Sequence, residues 1–274
     1  MLKQFKADLH IHTCLSPCAE LQMAPSSIVK TASEKRLNII AITDHNSAEN
    51  VIAATKAAES TGLTVLAGME VTTNEEVHIL AIFDNIEDVL KLQDVVYDNL
   101  LHIENNSPDL IIPPHPCLPD RQAPLTEGGW DLKGGTEGFN QVVVNEKNEV
   151  LSFNNRLLIA ATQLTAYSVV DTIHSLGGLA IASHIDREVF GIISHLGFIP
   201  LDLKLDALEI SPNTSLEKAK EIFKEYSHIP WITSSDAHHL NDIGSVSTGL
   251  LMHDSTFEEL CMAIKGVDGR KVIL

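Results

Sequence analysis

The chain contains little cysteine and no long run of apolar residues. Its four cysteines are scattered through 274 residues, which is too few for a disulfide-stabilised scaffold, so we expect a protein of the reducing cytoplasm. No apolar stretch is long enough to cross a bilayer, and the first residues lead directly into a charged strand without the pattern of a signal peptide. These features predict a cytoplasmic protein without a membrane-spanning part.

Positive charge is also scarce. The sequence has 19 Lys and Arg residues against 37 Asp and Glu residues, which gives a formal net charge of −18. Such an acidic surface disfavours binding to long nucleic acid or to anionic membranes. An anionic substrate would need local positive charge, which bound metal ions can supply. The chain also lacks a Gly-x-Ser-x-Gly motif and a P-loop, which argues against acyl-serine and P-loop chemistry.

Histidine, by contrast, is frequent, with 13 residues, several of them beside acidic residues at the ends of predicted strands. His10 and His12 close the first strand, and residues two apart on a strand share a face. Imidazole and carboxylate together suit Zn²⁺, Mn²⁺ or Fe. The pattern therefore predicts a metal site. Its further candidates follow four other strands or lie in a proline-rich loop, and they are Asp44, His45, Glu70, His115, His184, Asp236 and His238.

Strands and helices alternate along most of the chain, which predicts roughly seven strands in a parallel sheet. A closed barrel and an open doubly wound sheet both place ligands at the carboxyl ends of their strands, and a single shared site would favour the barrel. Residues 105–153 are rich in Pro and Gly and end in a predicted hairpin, so we interpret them as an insertion into one domain of residues 1–274. A helix is predicted over residues 187–196.

Five short motifs resemble, in their order, those of the PHP (polymerase and histidinol phosphatase) family of metal-dependent phosphoesterases. The resemblance implies a distorted (β/α)₇ barrel with two or three divalent metal ions, Zn, Mn or Fe, at the carboxyl ends of the strands. The motifs are Asp8-Leu-His10-Ile-His12-Thr, Ile42-Thr-Asp44-His45-Asn, Gly68-Met-Glu70-Val, Ala-Ser-His184 and Ser235-Asp236-Ala-His238.

At the matching positions the resemblance implies three groups of metal ligands. Glu70 stands alone after its strand and is the candidate for a carboxylate that bridges two ions. The first group is His10, His12, Glu70 and Asp236, the second is Glu70, His115 and His184, and the third is His45 and His238.

The chain departs from the family pattern in two places. Where relatives commonly have a further His or Asp ligand after the first motif, this chain has Cys18, with Glu20 nearby. We expect Cys18 to be a ligand of the third group, because a thiolate binds zinc well, and Glu20 is the alternative. His115 lies in a loop of variable length, and His78 in the fourth strand competes with it, although we favour His115. Asp44 is expected to orient a neighbouring histidine rather than to bind metal.

The leading hypothesis is a hydrolase that cleaves a small phosphomonoester with metal-activated water. The expected catalytic residues are Glu70, Asp236, His238 and Arg187. Arg187 would contact a phosphate oxygen, and Asp236, His238 or a water would protonate the leaving group. The alternatives are a 3′→5′ exonuclease or small-nucleotide phosphodiesterase, a hydrolase of amides or lactones, and a non-catalytic metal-bound scaffold. We therefore expect a small phosphorylated substrate and no long nucleic acid.

Overall fold

The computed structural model describes residues 1–100 and 141–273 as a mixed α/β fold, so His115 and the insertion up to residue 140 lie outside the described residues. None of the described helices is both long and apolar enough to cross a membrane. The strands are β1 (Lys3–Ile11), β2 (Ile39–Ile42), β3 (Thr64–Thr72), β4 (His78–Phe83), β5 (Val142–Val144), β6 (Val150–Phe153), β7 (Leu179–Ala182), β8 (Ala207–Ile210), β9 (Trp231–Thr233), β10 (Thr248–Met252) and β11 (Lys271–Ile273). The helices are α1 (Pro25–Glu34), α2 (Val51–Ala58), α3 (Ile86–Asp98), α4 (Ala166–Ser175), α5 (Ile192–Leu196), α6 (Leu216–Ile222) and α7 (Phe257–Lys265).

Nine of these strands form one sheet, in the order β11-β10-β1-β2-β3-β4-β7-β8-β9, and β5 pairs with β6 in a separate hairpin. The sheet curves back on itself, because the His12 amide donates to the Ala237 carbonyl just after β9, at 3.0 Å. The strands from β1 round to β9 therefore form a nearly closed barrel of seven, and β10 and β11 extend antiparallel from β1. The distorted (β/α)₇ barrel is confirmed.

Apolar side chains fill two cores on opposite faces of this sheet. The outer core lies between the barrel and helices α1 to α6. The inner core fills the barrel, and Leu260 of α7 packs into it beside Leu9 and Ile181. Ser255, just before α7, accepts a hydrogen bond from Thr64 at the start of β3. Helix α7 therefore plugs the end of the barrel where the parallel strands begin, and the candidate ligands lie at the other end.

Strand β1 changes its side-chain pattern midway. Leu9 lies in the inner core, but Ile11 lies in the outer core, and the pairing with β2 shifts between Asp8 and Ile11. Such an irregularity inserts an extra residue on one strand and redirects the side chains that follow. As a result His10 and His12 both face inward at the mouth of the barrel.

Strand β4 runs antiparallel to both of its neighbours, β3 and β7. The expectation of a wholly parallel sheet is wrong at this strand. Residues 73–77, which join β3 to β4, are too few for a crossover connection, so the chain must reverse its direction there. Because of this reversal His78, the first residue of β4, lies at the barrel mouth, where the parallel strands end.

Helix α5 covers Ile192–Leu196 and is much shorter than the helix predicted over residues 187–196. Phe190 has a φ of 61°, in the left-handed region, and a Cβ at Gly191 would overlap the Arg187 carbonyl oxygen. The chain therefore makes a tight turn before the helix begins. Arg187 belongs to a loop at the barrel mouth instead of the start of a helix.

Asn50 attaches the β5–β6 hairpin to the barrel. Its side chain donates to the Val142 carbonyl at 3.0 Å and accepts from the Val144 amide at 3.0 Å. Val142 and Val144 also pack in a small apolar cluster with Cys14 and Ala24. The end of the insertion is thus fixed beside the loop that follows β1.

Gly68 in β3 is a point of close packing between strands. A Cβ there would lie 2.7 Å from Thr43 Cγ2, 2.9 Å from the Ile42 carbonyl oxygen and 3.0 Å from the Ala81 carbonyl oxygen. We expect Gly68→Ala to lower the free energy of unfolding by about 3 kcal/mol in chemical denaturation, because the two backbone oxygens cannot move aside. Gly197→Ala, at an open left-handed position after α5, is the control and should lose only about 1 kcal/mol. Equal losses in the two variants would contradict this packing argument.

Candidate metal centre

Glu70, on β3, is ringed by imidazoles at the mouth of the barrel. Its side chain is 1% exposed, and ring nitrogens of five histidines lie 2.9 to 3.5 Å from its two oxygens. These rings come from β1, from β4 and from the segments that follow β2 and β7, so one carboxylate joins parts that are distant in the sequence. The histidines are His10, His12, His45, His78 and His184.

His10 and His12 project side by side from β1, with their Nε2 atoms 3.1 Å apart. Asp236, just after β9, places Oδ1 3.2 Å from His10 Nε2 and 3.1 Å from His12 Nε2. The φ of Asp236 is 49°, a conformation that costs energy in a residue other than Gly and that the surrounding structure must hold. The structure therefore brings the first predicted group of ligands together around Glu70.

A second group of imidazoles lies next to the first. Cys18 borders it, with Sγ 3.1 Å from His238 Nε2. Glu20 instead pairs with His239 at 2.9 Å, and its side chain is 49% exposed. The geometry thus supports Cys18 over Glu20 as the additional ligand. The ligand atoms of this group lie within 4.8 Å of one another and belong to His12, His45 and His238.

His184 and His78 both approach Glu70 Oε1. His184 Nε2 is 3.4 Å from this oxygen and His78 Nδ1 is 2.9 Å from it. His184 has a φ of 27°, again in the left-handed region. His115, which the sequence favoured, lies outside the described residues and stays a prediction. The structure places His78 in the cluster, where its ligand atom lies within 4.8 Å of those of His45 and Glu70.

Asp44 organises the loop that follows β1. Its carboxylate accepts hydrogen bonds from the Thr13 amide at 2.7 Å and from the Ser16 hydroxyl at 2.6 Å. The Ser16 oxygen in turn lies 3.0 Å from His12 Nδ1 and accepts from the His45 amide at 3.2 Å. Asp44 therefore orients His12 through Ser16, from behind the ring. This is the kind of role predicted for Asp44 from the sequence.

Glu209, in β8, was not among the residues predicted from the sequence. Its buried carboxylate lies 2.9 Å from His10 Nδ1 and accepts from the His184 amide at 3.0 Å. One carboxylate thus orients the ring of one candidate ligand and holds the strained backbone of another. The available signal was an acidic residue inside an otherwise apolar strand, where a charge needs a partner.

Burial and neighbouring charges shift the protonation equilibria of this cluster. Burial lowers the pKa of His78 to about 4, against the opposing effect of Glu70. Burial and two nearby imidazoles hold the pKa of His12 well below its usual range. Burial acts to raise the pKa of Glu70, but His78 and His10 outweigh it and hold that pKa well below its usual range. Near neutral pH these two rings are therefore neutral and the Glu70 carboxylate is ionised, which are the forms that bind divalent cations.

This donor set fits divalent metal ions. His78 Nε2 and His184 Nδ1 are buried and have no hydrogen-bond partner among the described residues. Such buried polar atoms are rare in folded proteins and call for an explanation such as a bound ion. Neutral imidazoles with ionised carboxylates are ligands of Zn²⁺, Mn²⁺ and Fe, and the described residues include groups of three donors close enough to share an ion.

Arg187 borders the candidate ligands. Its Nη1 lies 2.6 Å from Asp236 Oδ2, and its side chain is 30% exposed. It lines two clefts at the barrel mouth, of about 390 and 300 Å³. A positive side chain accessible to solvent is therefore held directly against the candidate metal centre.

A seven-stranded barrel that gathers histidines and carboxylates at the carboxyl ends of its strands defines the class of metal-binding α/β barrels. Within this class the chain belongs to the PHP domain family, whose model matches residues 8–229. A second family model, described as PHP-associated, matches residues 213–266. The resemblance carried by the five motifs is confirmed.

One curated relative is uncharacterized protein MJ1587 of Methanocaldococcus jannaschii. It is 33% identical over 144 residues, which cover 49% of this chain and 81% of that protein. Among solved structures, a proposed metal-dependent phosphoesterase from Bifidobacterium adolescentis has a TM-score of 0.60 at 18% identity, over 94% of this chain and 96% of that chain. At this level of sequence identity, the comparison shows only that the two chains share a fold.

The lesion-specific endonuclease EndoQ of Pyrococcus furiosus has a TM-score of 0.68 at 21% identity, over 99% of this chain. Endonuclease Q bound to a 27-mer duplex with an abasic lesion at its active site also has a TM-score of 0.68, at 22% identity over 98% of this chain. This chain covers 58% of each endonuclease chain. The expectation of a small phosphorylated substrate and no long nucleic acid is therefore wrong: net charge describes the whole surface, and endonuclease Q, which shares this fold, binds a duplex.

The Cys18 thiol should bind metal beside His238. We expect the cobalt-substituted protein to show a thiolate-to-cobalt charge-transfer band that Cys18→Ser abolishes, because only a coordinated thiolate gives this absorption. Glu20→Ala should leave the band unchanged, since Glu20 pairs with His239 away from the cluster. A band that survives in Cys18→Ser, or is absent from the wild-type protein, would exclude Cys18 as a ligand.

Glu209→Gln should weaken metal binding by about 10- to 100-fold, because the amide keeps the shape but removes the charge that orients His10. The measurement is a competition titration against a chromophoric chelator. Glu217→Gln, an exposed change at the start of α6, is the matched control. Equal metal affinity in the two variants would show that Glu209 is only a structural residue of β8.

Proposed function

We propose that this chain is a metal-dependent phosphoesterase that hydrolyses phosphodiester bonds of nucleic acid. The observation that carries the proposal is the ring of imidazoles around Glu70, set directly beside the Arg187–Asp236 pair. Membership of the PHP domain family supports the chemistry, and the shared fold of endonuclease Q supports the choice of substrate. Zn²⁺, Mn²⁺ and Fe are the ions that this donor set suits.

The ligands are assigned to the three groups that the family resemblance implies. Glu70 would be shared between two of these groups, because imidazoles face both of its oxygens. His10, His12 and Asp236 would complete the first group, and His184 the second, together with His78 or His115. His45, His238 and Cys18 would hold the third ion. When bound, the ions supply an activated water molecule and neutralise charge on the phosphate.

The side chains around the cluster position the substrate. Arg187 releases Asp236 and binds a non-bridging phosphate oxygen instead. Its guanidinium is already held at the barrel mouth and is partly exposed. Asp236 then remains directed at His10 and His12. Asp236 and His238 have ligand roles, so we assign protonation of the leaving oxygen to a water molecule.

The net charge of −18 is compatible with this proposal. Repulsion by the acidic surface is screened beyond about 8 Å at physiological salt, whereas Arg187 and bound cations act at the phosphate itself. We therefore expect weak, salt-sensitive binding of the strand as a whole and strong local binding of one phosphate. The substrate would be recognised at the metal centre more than along its backbone.

The test is hydrolysis of a labelled single-stranded oligonucleotide by protein loaded with Mn²⁺ or Zn²⁺. Glu70→Gln should lower kcat/KM by about 100-fold or more, because the central carboxylate loses its charge. Glu217→Gln, on an exposed face of α6, should retain full activity. Hydrolysis of phosphomonoesters alone, or of no phosphate ester with any of these metals, would overturn the proposal.

A further inference from the structure

The two clefts at the barrel mouth are the lobes of a single groove. The first lobe, of about 390 Å³, includes the candidate metal centre and extends past Val189, Phe190 and Asn213, with Asp186 and Glu188 also in its lining. The second lobe, of about 300 Å³, extends past Cys18, His239 and Asp242. The two linings share Arg187, Asp236 and His238, which form the wall between the lobes.

The first lobe has an apolar edge that is fixed to the candidate metal centre. Val189 is 41% exposed. Phe190 stacks on the His78 ring with centroids 4.3 Å apart and an interplanar angle of 3°. The His78 amide donates to the Phe190 carbonyl at 3.0 Å, and the Arg187 amide donates to the His184 carbonyl at 2.9 Å. These contacts hold the edge in place, and the exposed Val189 side chain offers an apolar surface against which a nucleobase can pack.

The second lobe is polar and acidic. Asp242 and His239 line it, and Asp236 forms the wall that it shares with the first lobe. A carboxylate repels a second phosphate but accepts hydrogen bonds from a sugar hydroxyl or a base amino group. This lobe therefore suits an uncharged nucleoside.

We infer that the groove holds a phosphodiester across Arg187, with the nucleoside that keeps the phosphate in the first lobe and the leaving nucleoside in the second. This inference rests on the proposed function. Each lobe has a volume at the lower end of the range of about 300–1,000 Å³ seen in small-ligand pockets. A phosphomonoester would fill one lobe alone, whereas a diester uses both.

The first lobe is tested with two substrates that share one leaving group, thymidine p-nitrophenyl phosphate and methyl p-nitrophenyl phosphate. We expect kcat/KM to be at least about 10-fold higher for the thymidine ester, because the base buries apolar surface against Val189 and the methyl group has almost none to bury. Val189→Asn should reduce this preference to about 3-fold or less. Val267→Asn is the matched control, since Val267 is 40% exposed and lies after α7, at the plugged end of the barrel.

Binding of thymidine monophosphate, measured by calorimetry, gives a readout without turnover, and Val189→Asn should weaken it while Val267→Asn does not. Hydrolysis of both esters with equal kcat/KM would overturn the nucleoside site and leave the phosphodiesterase proposal standing. Hydrolysis of neither ester nor of any oligonucleotide would overturn the proposed function itself.

The second lobe is tested with a dinucleoside monophosphate, whose leaving group is a nucleoside instead of p-nitrophenol. Asp242→Trp fills the lobe and should lower kcat/KM for the dinucleoside at least about 5-fold relative to thymidine p-nitrophenyl phosphate. Asp268→Trp, at a residue 74% exposed beyond α7, is the control and should leave this ratio unchanged. An unchanged ratio in Asp242→Trp would show that the leaving nucleoside lies outside this lobe.

Discussion

A buried carboxylate among imidazoles is the constraint on which the rest of this structure depends. Glu70 is nearly inaccessible to water, and an ionised group in that position is stable only with compensating positive charge or hydrogen bonds. Five histidines face it, and burial keeps at least His78 and His12 largely neutral. Divalent cations between these groups would add positive charge beside this carboxylate. The chemistry that we propose is thus also a way to stabilise the fold at the barrel mouth.

Two further carboxylates hold the rings around Glu70 in place. Glu209 orients His10 from within β8, and Asp44 orients His12 through Ser16. Both lie behind the ligands, and both receive hydrogen bonds from backbone amides as well. The same two carboxylates therefore fix both the orientation of the imidazole rings and the conformation of the nearby backbone. The hydrogen bond from the His184 amide to Glu209 explains how a left-handed φ is retained at His184.

Much of this architecture could be predicted because the ligands occur in short motifs at the ends of strands. The family and the barrel followed from these motifs. The direction of β4 did not, because it depends on the turn after β3, and this reversal is what brings His78 to the mouth. Glu209 was not predicted as a site residue either, because its partners His10 and His184 are distant from it in the sequence. The net charge of the whole chain led to a wrong prediction about nucleic acid, because charge averaged over the surface does not describe the charge at one site.

The closure of the barrel also determines when its mouth can form during synthesis. Asp8 accepts hydrogen bonds from the amide and hydroxyl of Ser235, 227 residues later in the chain. Strand β1 is therefore synthesised well before the residues that close the barrel against it. Contacts of such long range are slow to form, and a chain arrested before β9 would lack Asp236 and His238. The metal centre can therefore be assembled only after β9 and the residues that follow it have been made.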